Sequence, residues 1–309
     1  MRFEFYPLRF EFIARGSLYF PPRHAANILR GALGVIFRRI ACVPGCPEAG
    51  TCEDSRVCGI RQSCPYARVF EPVAQGTGPS GLADWPRPFV FRARHLDGKT
   101  IQTGQSFHFD LHVFSLDSQT LAYFILTFAA LACEGLGPQR GKAELRRVLS
   151  LCASDENAAI QPTSLDLNPD FTRSFPAPRK IRVDFHSPTE LKHENRIAQR
   201  PEFPVLFARI RDRIGTLRTL YGPGPLEIDF QAVGRRAKDV TMTRCEVRRV
   251  ESARRSSRSG QTHSIGGFVG TAEYEGDLAE FLPYLEAARW VGVGRQAVWG
   301  KGEIALTRL

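Results

Sequence analysis

The residues best placed to do chemistry lie close to the C-terminus, in the segment GVGRQAVWGKG spanning Gly292 to Gly302. Gly292, Gly294, Gly300 and Gly302 permit positive φ and let the backbone approach a ligand closely. Arg295 and Lys301 bring positive charge into the same loop, and Trp299 offers a stacking face. Backbone N–H groups beside fixed cations form an anion-binding concavity, so the loop is a candidate phosphate site. It is not a Walker loop, because neither Ser nor Thr follows the lysine and no long helix is expected to begin there. A plain structural turn would use the same glycines, and the loop alone does not separate the two.

A second feature is the density of arginine that precedes this loop. From Phe207 to Arg258 there are 13 Lys and Arg against 6 Asp and Glu. Arg235, Arg236 and Lys238 follow Gly234, while Arg254, Arg255 and Arg258 sit in a serine-rich stretch that ends at Gly260. A loop of that composition between two strands can fold onto a phosphate backbone when it binds one. A solvated, partly disordered loop is the alternative.

Five of the eight cysteines, Cys42, Cys46, Cys52, Cys58 and Cys64, fall within 23 residues. Five residues separate each neighbouring pair from Cys46 to Cys64, and three separate Cys42 from Cys46. Four thiolates meet the tetrahedral demand of zinc, so Cys46, Cys52, Cys58 and Cys64 are expected to hold a structural zinc, with Cys42 a bystander. The spacing lacks Cys-x-x-Cys knuckles, and free or redox-active thiols on a loop are the other reading. Such a zinc would have no open position for catalysis. Cys133, Cys152 and Cys245 read as ordinary small buried residues.

These features need a scaffold. Apolar residues are 43% of 309, enough for two domains with their own cores. With 42 Lys and Arg against 32 Asp and Glu, the net charge is +10 and the pI near 9.5, which favours a polyanionic partner. The longest apolar run, Thr120 to Cys133, suits a buried helix better than a bilayer span, and Met1 to Phe12 lacks a signal-peptide core. A soluble cytoplasmic protein without a membrane partner is expected. Alternation over Arg2 to Ile13 predicts a strand, and Ala25, Ile28, Leu29, Leu33 and Ile36 predict a helix opened by Pro21 and Pro22. Strands at Pro88 to His95 and Ser106 to Phe114, a helix from Ser118 to Cys133, the loop GLGPQRGK (Gly135 to Lys142) and a strand from Glu144 to Leu151 complete the first half.

The second half repeats the plan. A strand at Lys180 to Phe185 leads to a helix from Glu202 to Tyr221, and strands follow near Cys245 to Glu251 and Gly267 to Tyr274. A helix from Leu278 to Ala288, the second glycine loop and a last strand from Glu303 to Leu306 close it. Each half thus reads strand, helix, strand, strand, helix, strand, giving an α+β chain of tandem ferredoxin-like (RRM-like) domains. The expected division is 1–155 for the first domain, with a Cys-rich insertion at about 42–82, a linker at 156–176, and 177–309 for the second domain. The glycine loops fall at the same point of each half, a weak internal repeat.

The segment GGFVGTAEYEGDLAEFLPYLEAARWVGVGRQAVWGKGEIAL (Gly266 to Leu306) resembles the C-terminal signature of the CRISPR-associated endoribonucleases that process precursor guide RNA. VDFHSPTELKHENRIAQRPEF (Val183 to Phe203) resembles the start of the same domain, and ILRGALGVIFRR (Ile28 to Arg39) and CPYARVFEP (Cys64 to Pro72) are similar to the family's first half. The resemblance implies a protein that binds repeat RNA, both precursor and mature guide, and serves a CRISPR effector complex. It implies metal-independent cleavage, in which a ribose 2′-OH attacks the adjacent phosphate to leave a 2′,3′-cyclic phosphate and a 5′-OH. Family members often carry a histidine at the start of the first helix, and His24 in PPRHAANILRG takes that place. Tyr19 would orient the ribose or leaving oxygen, and Arg23, Arg30 or Lys142 would supply the cation. Arg38 and Arg39 join the two arginine clusters and the C-terminal loop as RNA contacts. His263 is the second histidine candidate, a lone helix-capping role for His24 stays open, and His95, His108, His112, His186 and His193 read as structural or surface residues. The loop is shared with members of the superfamily that bind RNA without cutting it, so a non-catalytic RNA-binding subunit is the alternative function.

Overall fold

A computed structural model describes residues 1–42, 46, 58–72, 85–153, 155, 158–168, 178–194, 196–251, 253–255, 262–264 and 266–309. The chain divides into two compact units, Phe5–Thr163 and Ser164–Leu309, with Met1–Glu4 belonging to the latter.

The N-terminal unit begins with β1 (Arg2–Ala14) and β2 (Leu18–Tyr19), then α1 (Ala25–Ala41) and α2 (Pro65–Phe70). β3 (Phe89–Arg92), β4 (Thr100–Ile101), β5 (Ser106–Val113), α3 (Ser118–Glu134) and β6 (Ala143–Ser150) follow, and β7 (Thr163–Asp166) falls where the chain passes into the second unit. The main sheet runs β3-β5-β1-β6, with β5 antiparallel to both its neighbours and β6 antiparallel to β1. Counting its four main strands in chain order, this is 2-3-1-4, the ferredoxin-like arrangement. Alternation along β1 places Phe10 and Phe12 in the core and Arg9 and Glu11 on the other face. Phe10 packs on Phe109 and Phe128, and Phe91 meets the same two rings. Leu29, Leu33 and Phe37 recur every four residues along α1 and form its buried stripe. Each such side chain, fully buried, stabilises the unit by roughly 1.5–3 kcal/mol. On the opposite face Arg9 grips Asp110 with bonds of 2.8 and 3.1 Å, and Arg147 meets Glu11 at 2.6 Å.

The C-terminal unit holds β8 (Lys180–Thr189), β9 (Lys192–His193), β10 (Arg196–Ile197), α4 (Phe203–Tyr221) and α5 (Phe230–Arg236). β11 (Thr241–Val250), β12 (Ala253–Arg255), β13 (Thr262–Ser264), β14 (Gly267–Glu275), α6 (Leu282–Val291) and β15 (Ile304–Arg308) complete it. Its sheet runs β11-β14-β8-β15 with antiparallel pairs throughout, again 2-3-1-4. Phe203 and Phe207 of α4 pack edge-on against Phe281 just ahead of α6, and Phe207 also meets Tyr284 within it. The fully buried Tyr274 hydroxyl donates to the Pro201 carbonyl at 2.6 Å, which satisfies the one polar atom this ring takes into the core.

Some elements differ from the sequence reading. The stretch read as a linker, 156–176, contains β7, which pairs with β1. Within the expected Cys-rich insertion, α2 forms with Pro65 in its first turn, and its Phe70 packs on Phe37 and Phe89. Apolar contact with α1 and β3 outweighs the turn-rich composition around it. The rest of the insertion, residues 43–45, 47–57 and 73–82, lies outside the described residues. Helix α5 was not anticipated; Asp229 starts it by accepting from the N–H groups of Gln231 and Ala232. Helix α6 starts at Leu282, four residues later than periodicity suggests, with a proline in its first turn. Among the described residues no helix is long and apolar enough to cross a membrane.

Candidate functional site

In the N-terminal unit the first glycine loop lies against the chain that enters β2, which carries Tyr19 and leads on to His24 at the start of α1. The Lys142 carbonyl accepts from the N–H groups of Arg15 (2.8 Å) and Gly16 (3.0 Å), which ties the end of the loop to the entry of β2. A Cβ on Gly137, at φ +73°, would stand 2.8 Å from the Tyr19 carbonyl oxygen, and one on Gly141 only 2.2 Å from that of Ser17. These positions need glycine because the two backbones lie against each other. Tyr19, half-buried, and Lys142, exposed, thereby share one corner.

Beyond β2 the chain is pinned to a turn at residues 97–99. The Phe20 N–H donates to the Lys99 carbonyl at 2.9 Å, and the Gly98 N–H donates to the Phe20 carbonyl at 2.8 Å. Arg23 then takes a left-handed conformation, φ +63°, and His24 caps α1. The His24 Nδ1 lies 2.8 Å from the Pro22 carbonyl oxygen. A carbonyl only accepts, so Nδ1 carries the hydrogen and, in the neutral ring, Nε2 holds the lone pair. His24 contributes no side-chain cap to α1. That part falls to Asp97, whose Oδ1 accepts from the Ala25 N–H at 2.9 Å. Asp97 escaped the sequence reading, although Asp97-Gly98 is a turn signal. Arg140 also escaped it; it is exposed, at φ +51°, within the loop that abuts Tyr19.

The other cations of this unit are engaged elsewhere. Arg30 is half-buried with its guanidinium 5.8 Å from the Phe70 ring centre, so the structure does not aim it with His24. The five residues between them turn it to a different face of α1. Arg38 lies over the Tyr66 ring at 5.8 Å, and Arg39 is ion-paired with Glu134. Arg15 and Arg146 hold the Glu144 carboxyl below the usual carboxylate range, the Arg15 hydrogen bond being the larger cause.

In the C-terminal unit the second glycine loop is closed upon itself. Gly292, Gly294, Gly300 and Gly302 have φ between +66° and +75°, and Gln296 is also left-handed. The Val293 N–H donates to the Gly302 carbonyl at 2.9 Å, and the Gly302 N–H donates to the Pro188 carbonyl at 3.1 Å. Arg295 bonds twice to Glu190: its N–H to the carbonyl at 3.0 Å, and Nη1 to Oε1 at 2.7 Å. Glu190 is buried while the Arg295 side chain is 59% exposed, so the carboxylate anchors a guanidinium that faces solvent. Glu190 has no local signal in the sequence, because its partner is 105 positions away. Lys301, read as a cation for a phosphate, is instead only 4% exposed, between Gly300 and Gly302 at positive φ. Trp299 is half-buried.

Arg235 within α5 and Lys238 just after it are exposed, and Arg236 makes a two-pronged pair with Glu280 at 2.6 and 2.7 Å. β12 and β13 form an antiparallel hairpin in which Arg254 faces His263 in register. The side chains of Arg254, Arg255 and His263, and the whole of Arg258, lie outside the described residues. So does Cys52. Cys58 and Cys64 are buried and Cys46 is half-buried, and among the described residues no three His, Cys, Asp or Glu side chains come close enough to hold a metal.

Two ferredoxin-like units, each with a glycine loop ahead of its last strand, define a protein built on tandem RNA-recognition-type domains. Residues 183–304 match the family model of the CRISPR-associated endoribonuclease Cas6, and residues 3–168 match the model of an N-terminal domain. The C-terminal unit thus carries a match to a family of endoribonucleases. No curated protein matches it. Among solved structures, a Cas6 product complex shares 16% identity at a TM-score of 0.57, covering 98% of this chain and 100% of that one. Thermus thermophilus Cas6 shares 16% identity at a TM-score of 0.52, over 99% of each chain. A partial Cas6-RT-Cas1–Cas2 complex shares 12% identity at a TM-score of 0.54, covering 98% of this chain and 46% of that one. At such identities these likenesses speak to the fold.

Proposed function

We propose that this chain binds the repeats of a CRISPR precursor transcript and cuts within them by attack of a ribose 2′-OH, without a metal. The observation that carries this reading is the N-terminal corner, where Gly137 and Gly141 of the loop that ends at Lys142 lie against the backbone of Ser17 and Tyr19, a few residues ahead of His24. In the reaction the 2′-oxygen bonds to phosphorus as the P–O5′ bond breaks. The 2′-OH proton leaves to a base, and a proton reaches the departing O5′. The Nε2 of His24 suits either proton transfer, Tyr19 orients an oxygen, and Lys142, aided by Arg23 and Arg140, stabilises charge on the phosphoryl oxygens. Such a step needs proton carriers and cations only, which is the support for metal independence.

The C-terminal loop and the basic hairpin β12–β13 act as phosphate contacts that set the register of the RNA. We assign the protein to the cytoplasm and infer that it keeps its product and passes it to a CRISPR effector complex. Structural zinc on Cys46, Cys52, Cys58 and Cys64 is part of the proposal, motivated by the regular spacing; metal analysis of the purified protein beside Cys58→Ser and Cys64→Ser would test it.

The deciding experiment incubates labelled repeat RNA with the protein in EDTA, beside His24→Ala and a substrate deoxy at the cleaved position. Cleavage that survives EDTA but not the deoxy substitution supports the mechanism. Tight binding without any cleavage would instead make the chain a non-catalytic RNA-binding subunit.

A further inference from the structure

A cavity of about 160 Å³ opens in the C-terminal unit between the hairpin β9–β10, the end of β8, and the adjoining ends of β11 and β14. We infer that it takes a single unpaired nucleobase of the bound RNA, an inference that rests on the RNA-binding reading above. Its walls are apolar, from Ile197, Val247 and Phe268, while Gln199 and Arg249 supply polar groups. The space is smaller than the roughly 300 Å³ at which pockets for drug-sized ligands begin. It is also several times the roughly 30 Å³ that one water occupies. A flat heteroaromatic ring with hydrogen-bonding edges fits both the size and the mixture of walls.

Charge around the cavity selects nucleic acid over a free aromatic metabolite. β11 brings Arg249 to the cavity on the same face as Val247, and leads directly into the hairpin that bears Arg254 and Arg255. A phosphate chain following these cations would pass the cavity mouth, where an unstacked base can turn inward. The polar groups there are exchangeable. Among the described residues Arg249 is held by an exposed ion pair with Glu251, and the Gln199 amide makes a long 3.4 Å bond to the Ile197 carbonyl. The floor is fixed, since the Ala198 N–H donates to the Leu191 carbonyl at 2.9 Å and so closes the β9–β10 hairpin.

The test measures dissociation constants across a salt series for the wild type, Ala198→Phe, which fills the cavity, and Gln199→Ala, which removes an edge contact. The ligands are the repeat RNA and a set in which each base in turn is replaced by an abasic site. Ala198→Phe should weaken binding about tenfold, the lower range for one stacked base. Gln199→Ala should weaken it about threefold, as for one neutral hydrogen bond. The salt slope should not change, because no phosphate contact is lost. One abasic position should weaken the wild type by the same factor yet add nothing to Ala198→Phe. Multiplying losses at every abasic position, or unchanged affinity in both variants, overturns the nucleobase site alone. If Ala198→Phe melts at a lower temperature, Gln199→Ala against the same abasic set decides. A wild type that does not bind repeat RNA overturns the function proposed above as well.

Discussion

Gly302→Ala is the sharpest perturbation of the C-terminal loop. The residue sits at φ +66°, where an added methyl costs roughly 1–2 kcal/mol in backbone strain. Its Cβ would also stand 1.9 Å from the Val293 carbonyl oxygen, so the strand of loop from 292 to 294 must move away. That movement breaks the Val293–Gly302 hydrogen bond, worth about 0.5–1.5 kcal/mol net. Together these give about 2–3 kcal/mol against the native loop. If RNA requires that shape, affinity falls about 30- to 150-fold, at 1.4 kcal/mol per tenfold. The assay is filter binding with repeat RNA, alongside denaturant unfolding. Gly104→Ala is the control: φ is +85° but nothing lies within 4 Å of the new methyl, so it carries the strain alone, in a turn of the other unit. Equal RNA affinities for Gly302→Ala and wild type would refute the claim that this loop shape binds RNA.

His24→Ala should lower single-turnover cleavage by about 10²- to 10⁴-fold with RNA affinity preserved, as for loss of a proton carrier; unchanged turnover would move the chemistry elsewhere. Asp97→Ala should cost about 0.5–2 kcal/mol in unfolding free energy through the lost cap on α1, and reduce cleavage more than binding. Gly31→Ala, on an exposed position of α1 with open space around it, should stabilise the protein by about 0.5–1 kcal/mol in the same unfolding experiment. Burial, and then the charges of Arg9 and His95, hold His108 below its ordinary value of 6.5. The unfolded chain therefore takes up this proton first as pH falls, so His108 destabilises the fold progressively below about pH 6.5 and not above it. His108→Gln should flatten that part of the stability profile measured by denaturation.

The fold was legible in the sequence wherever periodicity was strong. The alternation of β1 and the four-residue repeat of Leu29, Leu33 and Phe37 each predict an element and its buried side, and the repeated order of elements predicts both sheets. What escaped depends on distant partners. Helix α2 forms because Phe70 meets Phe37 and Phe89, and β7 forms because β1 offers it an edge. The burial of Lys301 was equally hidden, since a lysine between two glycines reads as a cation for a phosphate. Tyr19, His24 and Lys142 are candidates through family resemblance alone. Asp97 and Glu190, which position their neighbours, were not, because an acidic residue carries no local sign of the N–H or guanidinium it will meet.

The C-terminal loop meets its sheet at Pro188 and Glu190 and closes on itself at Val293, so its shape is set before any RNA arrives. Little chain entropy remains to be lost there on docking. The heat-capacity change of complex formation should then follow the apolar area covered, without the larger contribution of a segment that folds on contact. Encounter is limited by electrostatic steering toward a basic surface, and a rise in ionic strength slows capture of the transcript more than it loosens the loop itself.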